Sequence, residues 1–174
     1  MVLLEPHRAA WRSDFAHEAE RLHRALGADV TAIEHIGSTA VPGLSAKPVI
    51  DVAAQAAPSV DPFGLGGELA AAGYRQHWSG PKTHAVYVRE QDGARTHILH
   101  VFATAAWETC NQRLFRDKLL RDPAARERYE RVKRRASGLA DGREYTAAKS
   151  RVVQELLDEE RAARGLPPVP AWDK

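Results

Sequence analysis

The order of apolar patterns along the chain predicts an α+β domain, a mixed β-sheet covered on one side by helices and followed by a helical C-terminal half. Three observations carry that expectation. Short, branched, apolar runs bounded by Gly or Pro crowd the earlier part of the chain, apolar residues at helical spacing dominate the later part, and an Asp-Gly pair separates two of the short runs. The chain has 174 residues, a size that fits one domain spanning 1–174 and suffices for a buried core without disulfide or metal staples.

Trp11, Phe15, Ala19, Leu22 and Leu26 recur at helical spacing with Gly27 as terminator, which predicts an amphipathic helix over residues 12–26. Residues 30–36 (VTAIEHI) and 48–54 (PVIDVAA) are expected strands. A Pro-containing stretch over 57–62 precedes GLGGELAAAGY, a short helix closing at Gly73. YRQHWS, HAVYVRE and ARTHILHVFA are further strands, the last two joined through Gln91, Asp92 and Gly93 as a hairpin. Pro123 starts a helix whose stripe is Tyr129, Val132, Ala136 and Leu139. Val152, Leu156 and Ala163 mark another over 145–164, with Gly165 as terminator and a tail that packs through Trp172 or stays loose.

Composition excludes several function classes. Lys and Arg total 25 against 23 Asp and Glu, and a net charge of +2 predicts no general attraction to nucleic acid or anionic membrane. The run RERYERVKRR, residues 126–135, distributes around a helix with Glu127 and Glu130 between its cations, the pattern of a solvated face. The start turns charged after four residues, too soon for a signal peptide, and nothing approaches the roughly 20 apolar residues of a membrane span. The single cysteine, Cys110, sits in a helical pattern with Trp107, Leu114 and Phe115, as a core residue would. A cytoplasmic protein in a reducing compartment is the expectation.

The chemistry concentrates in residues 33–55, IEHIGSTAVPGLSAKPVIDVAAQ. Gly37 permits close backbone approach, Ser38 adds a hydroxyl, and Lys47 adds a point charge, a combination suited to phosphate oxygens. Asp51 interrupts an apolar strand where an unpaired carboxylate is expensive to bury, so it needs a partner. Lys47, a backbone amide or a divalent metal would each serve. Two acids one residue apart would share a strand face, but the second position is Ala53.

The run EHIGSTAVPGLSAKPVIDV, residues 34–52, resembles the signature of the GrpB-like family, predicted members of the nucleotidyltransferase superfamily, some of them fused to dephospho-coenzyme A kinases. Trp11, Gly73-Tyr74, His100-Val101, Phe115-Arg116-Asp117 and the spacings Tyr129 to Lys133 and Tyr145 to Lys149 resemble its other blocks. The resemblance implies a nucleotidyltransferase-like fold. It implies a phosphate turn at Gly37 and Ser38, a first metal-binding carboxylate at Asp51, and basic residues Arg116, Lys133 and Lys149 completing an anion pocket. Two metal ions held by carboxylates would activate a hydroxyl and clamp a triphosphate. The second carboxylate maps to Ala53, leaving Glu34, a histidine or the substrate to supply the missing donors.

Among histidines beside strands (His35, His84, His97 and His100), His97 and His100 must face opposite sides of their strand. His100 falls where the superfamily's third carboxylate strand is expected. With Asp51 it is the candidate catalytic and metal pair, for magnesium, manganese or zinc, although magnesium prefers oxygen. Three functions therefore stand side by side. One is binding of a nucleotide or other phosphorylated small molecule with metal-dependent nucleotidyl transfer. Another is a non-catalytic module that senses a nucleotide or coenzyme A precursor, or docks a partner. The third is a His/Asp metal-dependent hydrolase.

Overall fold

A computed structural model describes residues 3–137 and 142–171. Leu139 and Trp172, expected in a helical stripe and a packed tail, lie outside the described residues. The elements run α1 (Ala10–Leu26), β1 (Val30–Ile36), β2 (Ile50–Ala56), α2 (Gly66–Ala71), β3 (Tyr74–Gln76), β4 (Ala85–Gln91), β5 (Ala94–Phe102), α3 (Asn111–Arg121), α4 (Pro123–Ser137) and α5 (Gly142–Ala163).

Five strands form one sheet in the order β1-β2-β5-β4-β3. Only the β2–β5 pair is parallel, so the sheet is mixed. β2 lies inside the sheet and carries Ile50, Val52, Ala53, Ala54 and Ala56 buried on both faces, which is why its sequence loses the alternation of a half-exposed strand. Its start lies two residues later than expected. Pro48 has no N–H to give a ladder, and Val49 N–H turns back to the Lys47 carbonyl at 2.8 Å. The β4–β5 hairpin closes through Asp92 (φ 52°) and Gly93 (φ 77°), both left-handed as a two-residue primed turn requires.

α1 and α2 cover one face, packing Leu22, Leu26 and Leu69 onto Val52, Ala54, Leu99 and Val101. Glu18 of α1, 2% exposed, accepts from the Tyr74 hydroxyl (2.8 Å), Arg21 (2.9 Å) and Arg89 (2.7 Å), so this buried charge is compensated. The expectation of helices on one side is incomplete. Trp107 and Cys110, at the entrance to α3, close the opposite face over Ile36, Ala53 and Phe102. Cys110 is buried as expected, but it precedes α3 in an extended conformation (φ −69°, ψ 133°) rather than lying within the helix.

The helical half has its own core of Leu114, Leu119, Val152, Val153, Leu156 and Leu157, into which Val41 and Leu44 insert from the β1–β2 loop. That insertion decides the function-bearing geometry. The loop after β1 is thereby held against the helical half while its first turn stays beside the sheet.

Candidate functional site

Ile36 pairs with Asp51 across β1 and β2, so the chain leaves β1 beside the acid. Gly37 then turns with φ 73°, and a β-carbon there would lie 2.9 Å from both Cβ and Cγ of Asp51. Only glycine fits such a turn. A short 3-10 turn follows over Ser38–Ala40. The Lys133 ammonium donates to Ser38 Oγ at 2.9 Å and to the Ser45 carbonyl, while Glu130 accepts from the Ser45 hydroxyl (2.6 Å) and amide (3.0 Å). One turn of α4 thus grips both ends of the loop.

Ser38, Lys47, Asp51, Lys133 and Lys149 line one cavity of about 400 Å³. A second, of about 220 Å³, shares Ser38, Asp51 and Lys149 and adds Gly37, His100 and Tyr129. The two form a cleft with Asp51 at their junction. Lys133 follows Tyr129 and Lys149 follows Tyr145 by one helical turn, which sets each ammonium against its tyrosine ring. The distances to the ring centres are 5.2 Å and 4.4 Å, and Lys47 approaches the Tyr145 ring from the loop at 5.1 Å.

The electrostatics are unusual. Burial raises the Asp51 carboxyl to about 7 even though Lys149 and Lys133 pull it down. Burial likewise lowers Lys133 to about 8 against the pull of Glu130, and lowers Lys149 to about 8 with help from Lys47. Among the described residues, the side chains of Asp51, Lys47 and Lys149 make no hydrogen bond and no ion pair within 4 Å. By contrast, much of the RERYERVKRR run is spent on the surface, as expected of a solvated face: Arg128 pairs with Glu155 and Glu159, Arg131 with Glu127, and Arg134 with Glu130. Of that run's cations, Lys133 is the one that lines the cleft among the described residues, beside Tyr129.

His100 lines the smaller cavity with Asp51, and His97 faces away toward Glu18 and Arg89. The opposite orientation of the two histidines follows from strand geometry. His100 Nδ1 is bonded to His84 Nε2 at 2.9 Å, and burial beside His84 holds its imidazole down to about 3, hence neutral. Arg116, expected in the anion pocket, is held elsewhere. Its guanidinium binds Glu34 (2.6 Å), Asp117 (2.7 Å) and the His35 carbonyl (3.1 Å).

Residues 1–159 match the family described as GrpB protein. The chain belongs to the GrpB family. A Pseudomonas aeruginosa relative described as a UPF0157 protein is 35% identical over 168 residues, covering 93% of this chain and 69% of its own length. The glutamate-rich protein GrpB of Alkalihalophilus pseudofirmus is 32% identical, covering 91% of this chain and 95% of its own. The crystal structure of conserved protein GrpB from Enterococcus faecalis superposes with a TM-score of 0.77 at 26% identity, covering 90% of this chain and 98% of that one.

For this family member, a carboxylate clamp for two metals does not fit the residues present. Ala53, 0% exposed, is packed with Phe102, Trp107 and Ile36. Glu34, paired with Ala53 across the sheet, is held by Arg113 at 3.1 Å through two nitrogens and by Arg116. Among the described residues no three His, Cys, Asp or Glu side chains gather closely enough to hold an ion. Sequence reasoning missed Ser45 and Glu130, the pair that anchors the loop. It took the two Tyr and Lys spacings only as family resemblance, although one helical turn between an aromatic and a cation already signals a shared face.

Proposed function

We propose that the cleft at Asp51 binds a phosphorylated small molecule, a nucleotide foremost. The observation that carries this reading is the convergence of Lys47, Lys133 and Lys149 with Ser38 on one cavity. They come from a loop and two helices, and none of the three has a carboxylate within 4 Å among the described residues. Ammoniums without a carboxylate in contact, one of them buried and one half-buried, favour an anion, and a serine hydroxyl beside a glycine turn suits phosphate oxygens. Calorimetric titration with a nucleotide panel and inorganic triphosphate tests it. Binding weakened at least tenfold in Lys149→Met supports the reading; affinity unchanged in that variant, or no binding to any panel member, sinks it.

Nucleotidyl transfer is a second reading, and one observation favours it. Asp51 combines a place at the centre of the cleft with a proton affinity near neutrality, as a general base for an acceptor hydroxyl requires. Pyrophosphate release from a nucleoside triphosphate with an acceptor extract, abolished in Asp51→Asn, would support transfer. Binding without turnover under the same conditions would leave a sensing module.

A further inference from the structure

Among the described residues the cleft holds no second carboxylate where a metal clamp would need one, and it holds the buried ammonium of Lys133 and the half-buried one of Lys149 beside the acid that remains. Resting on the phosphate-binding reading above, we propose that this cleft takes a di- or triphosphate free of divalent metal, with Lys133 and Lys149 supplying the neutralising charge.

Three features support the assignment. The first is sign. Lys133 and Lys149 line the cavity that Asp51 lines, with Lys47 at its loop side, so three ammoniums face one carboxylate and the field there repels a bare dication while attracting a polyanion. The second is donor supply. An ammonium has three protons to give; Lys133 commits two, to Ser38 and to the Ser45 carbonyl, and Lys149 commits none to any described residue, its recorded contact being the Tyr145 ring. Unused donors at the wall of a cavity are what phosphate oxygens take. The third is steric and electronic closure of the metal alternative. Ala53 packs with Trp107 and Phe102, and Glu34 is forked onto Arg113. Asp51 is left as a single carboxylate, too few for the carboxylate clamp that holds two metal ions.

The charges also indicate the substrate class. Three ammoniums offset by one carboxylate leave two positive charges, and three once Asp51 takes up its proton near neutrality. A diphosphate or triphosphate therefore engages all of that charge, where a monoester of about two negative charges engages only part of it. A magnesium complex would arrive with part of its own charge already neutralised.

Two measurements on the intact chain test this. In calorimetry with inorganic triphosphate and with ATP, affinity in excess EDTA should equal or exceed that in excess magnesium, by up to about tenfold. Binding that appears only with magnesium overturns the metal-free proposal and leaves the phosphate cleft standing. Absence of binding in both buffers overturns both. Independently of any phosphate ligand, manganese added to the protein alone should stay free by electron paramagnetic resonance. Stoichiometric manganese uptake that disappears in Asp51→Asn would overturn the proposal, and its absence together with EDTA-insensitive triphosphate binding would support it.

Discussion

Replacing Asp51 by Asn should stabilise the protein. Burial raises the carboxyl from its ordinary 3.8 to about 7, after the attraction of Lys149 and Lys133 has been included. In the unfolded chain the same group is expected near its ordinary value. Between about pH 4 and pH 7 the folded state therefore holds a proton that the unfolded state has given up, and stability falls as pH rises through that window and levels off above it. Each tenfold in proton affinity is about 1.4 kcal/mol, so the ionised acid costs the fold at most about 4 kcal/mol at pH 8. The part of the carboxylate open to the cleft reduces this to roughly 1–3 kcal/mol. Asn matches the shape and carries no charge, so urea unfolding should show the variant more stable by that margin at pH 8 and nearly equal to the wild type at pH 4. If the variant is no more stable than the wild type at pH 8, the acid is compensated in the folded state and the account of its burial fails.

Gly37→Ala should cost roughly 1–3 kcal/mol in the same assay, because it adds a left-handed strain to a contact with Asp51 shorter than van der Waals distance; a loss within experimental error would show that the turn can relax. Lys149, lowered to about 8, should be about half deprotonated at pH 8, where an ordinary lysine near 10.4 is almost fully protonated. Amine acylation read by mass spectrometry should therefore reach half-maximal rate near pH 8 at Lys149 and about two pH units higher at exposed lysines, and triphosphate should protect it. Equal pH profiles for Lys149 and the exposed lysines would contradict its burial.

Where the sequence was legible, a single local force decided the structure. β1 occupies residues 30–36 in both accounts because a run of branched side chains ends at a glycine that no other residue can replace. The hairpin follows from Asp92 and Gly93 because two consecutive left-handed residues admit few other side chains. What was not legible depends on contacts remote in sequence. Arg116 has the composition of a phosphate ligand, and only the approach of α3 to β1 shows Glu34 claiming it. Cys110 fits a helical stripe, yet its thiol bonds the Trp107 carbonyl at 3.3 Å, ahead of the helix. The second helical layer was invisible for the same reason, since no local pattern says that Trp107 folds over Ala53.

The small side chain at position 53 now has a physical explanation that the strand pattern alone could not give. In the sheet, Ala53 is paired with Glu34 on one side and His100 on the other, beneath Trp107. A carboxylate there would be enclosed by apolar surface next to Glu34, a like charge, and would take Arg113 or Arg116 away from it. The ion pairs that join α3 to the sheet and a metal-binding acid at this position are therefore competing uses of the same two guanidiniums. With the guanidiniums committed to Glu34, positive charge for the cleft has to come from another direction. α4 and α5 supply it through Lys133 and Lys149, each one helical turn beyond a tyrosine whose ring lies against its ammonium. A variant that restores the acid, Ala53→Asp, would consequently be expected to weaken the attachment of α3 before it created a metal site.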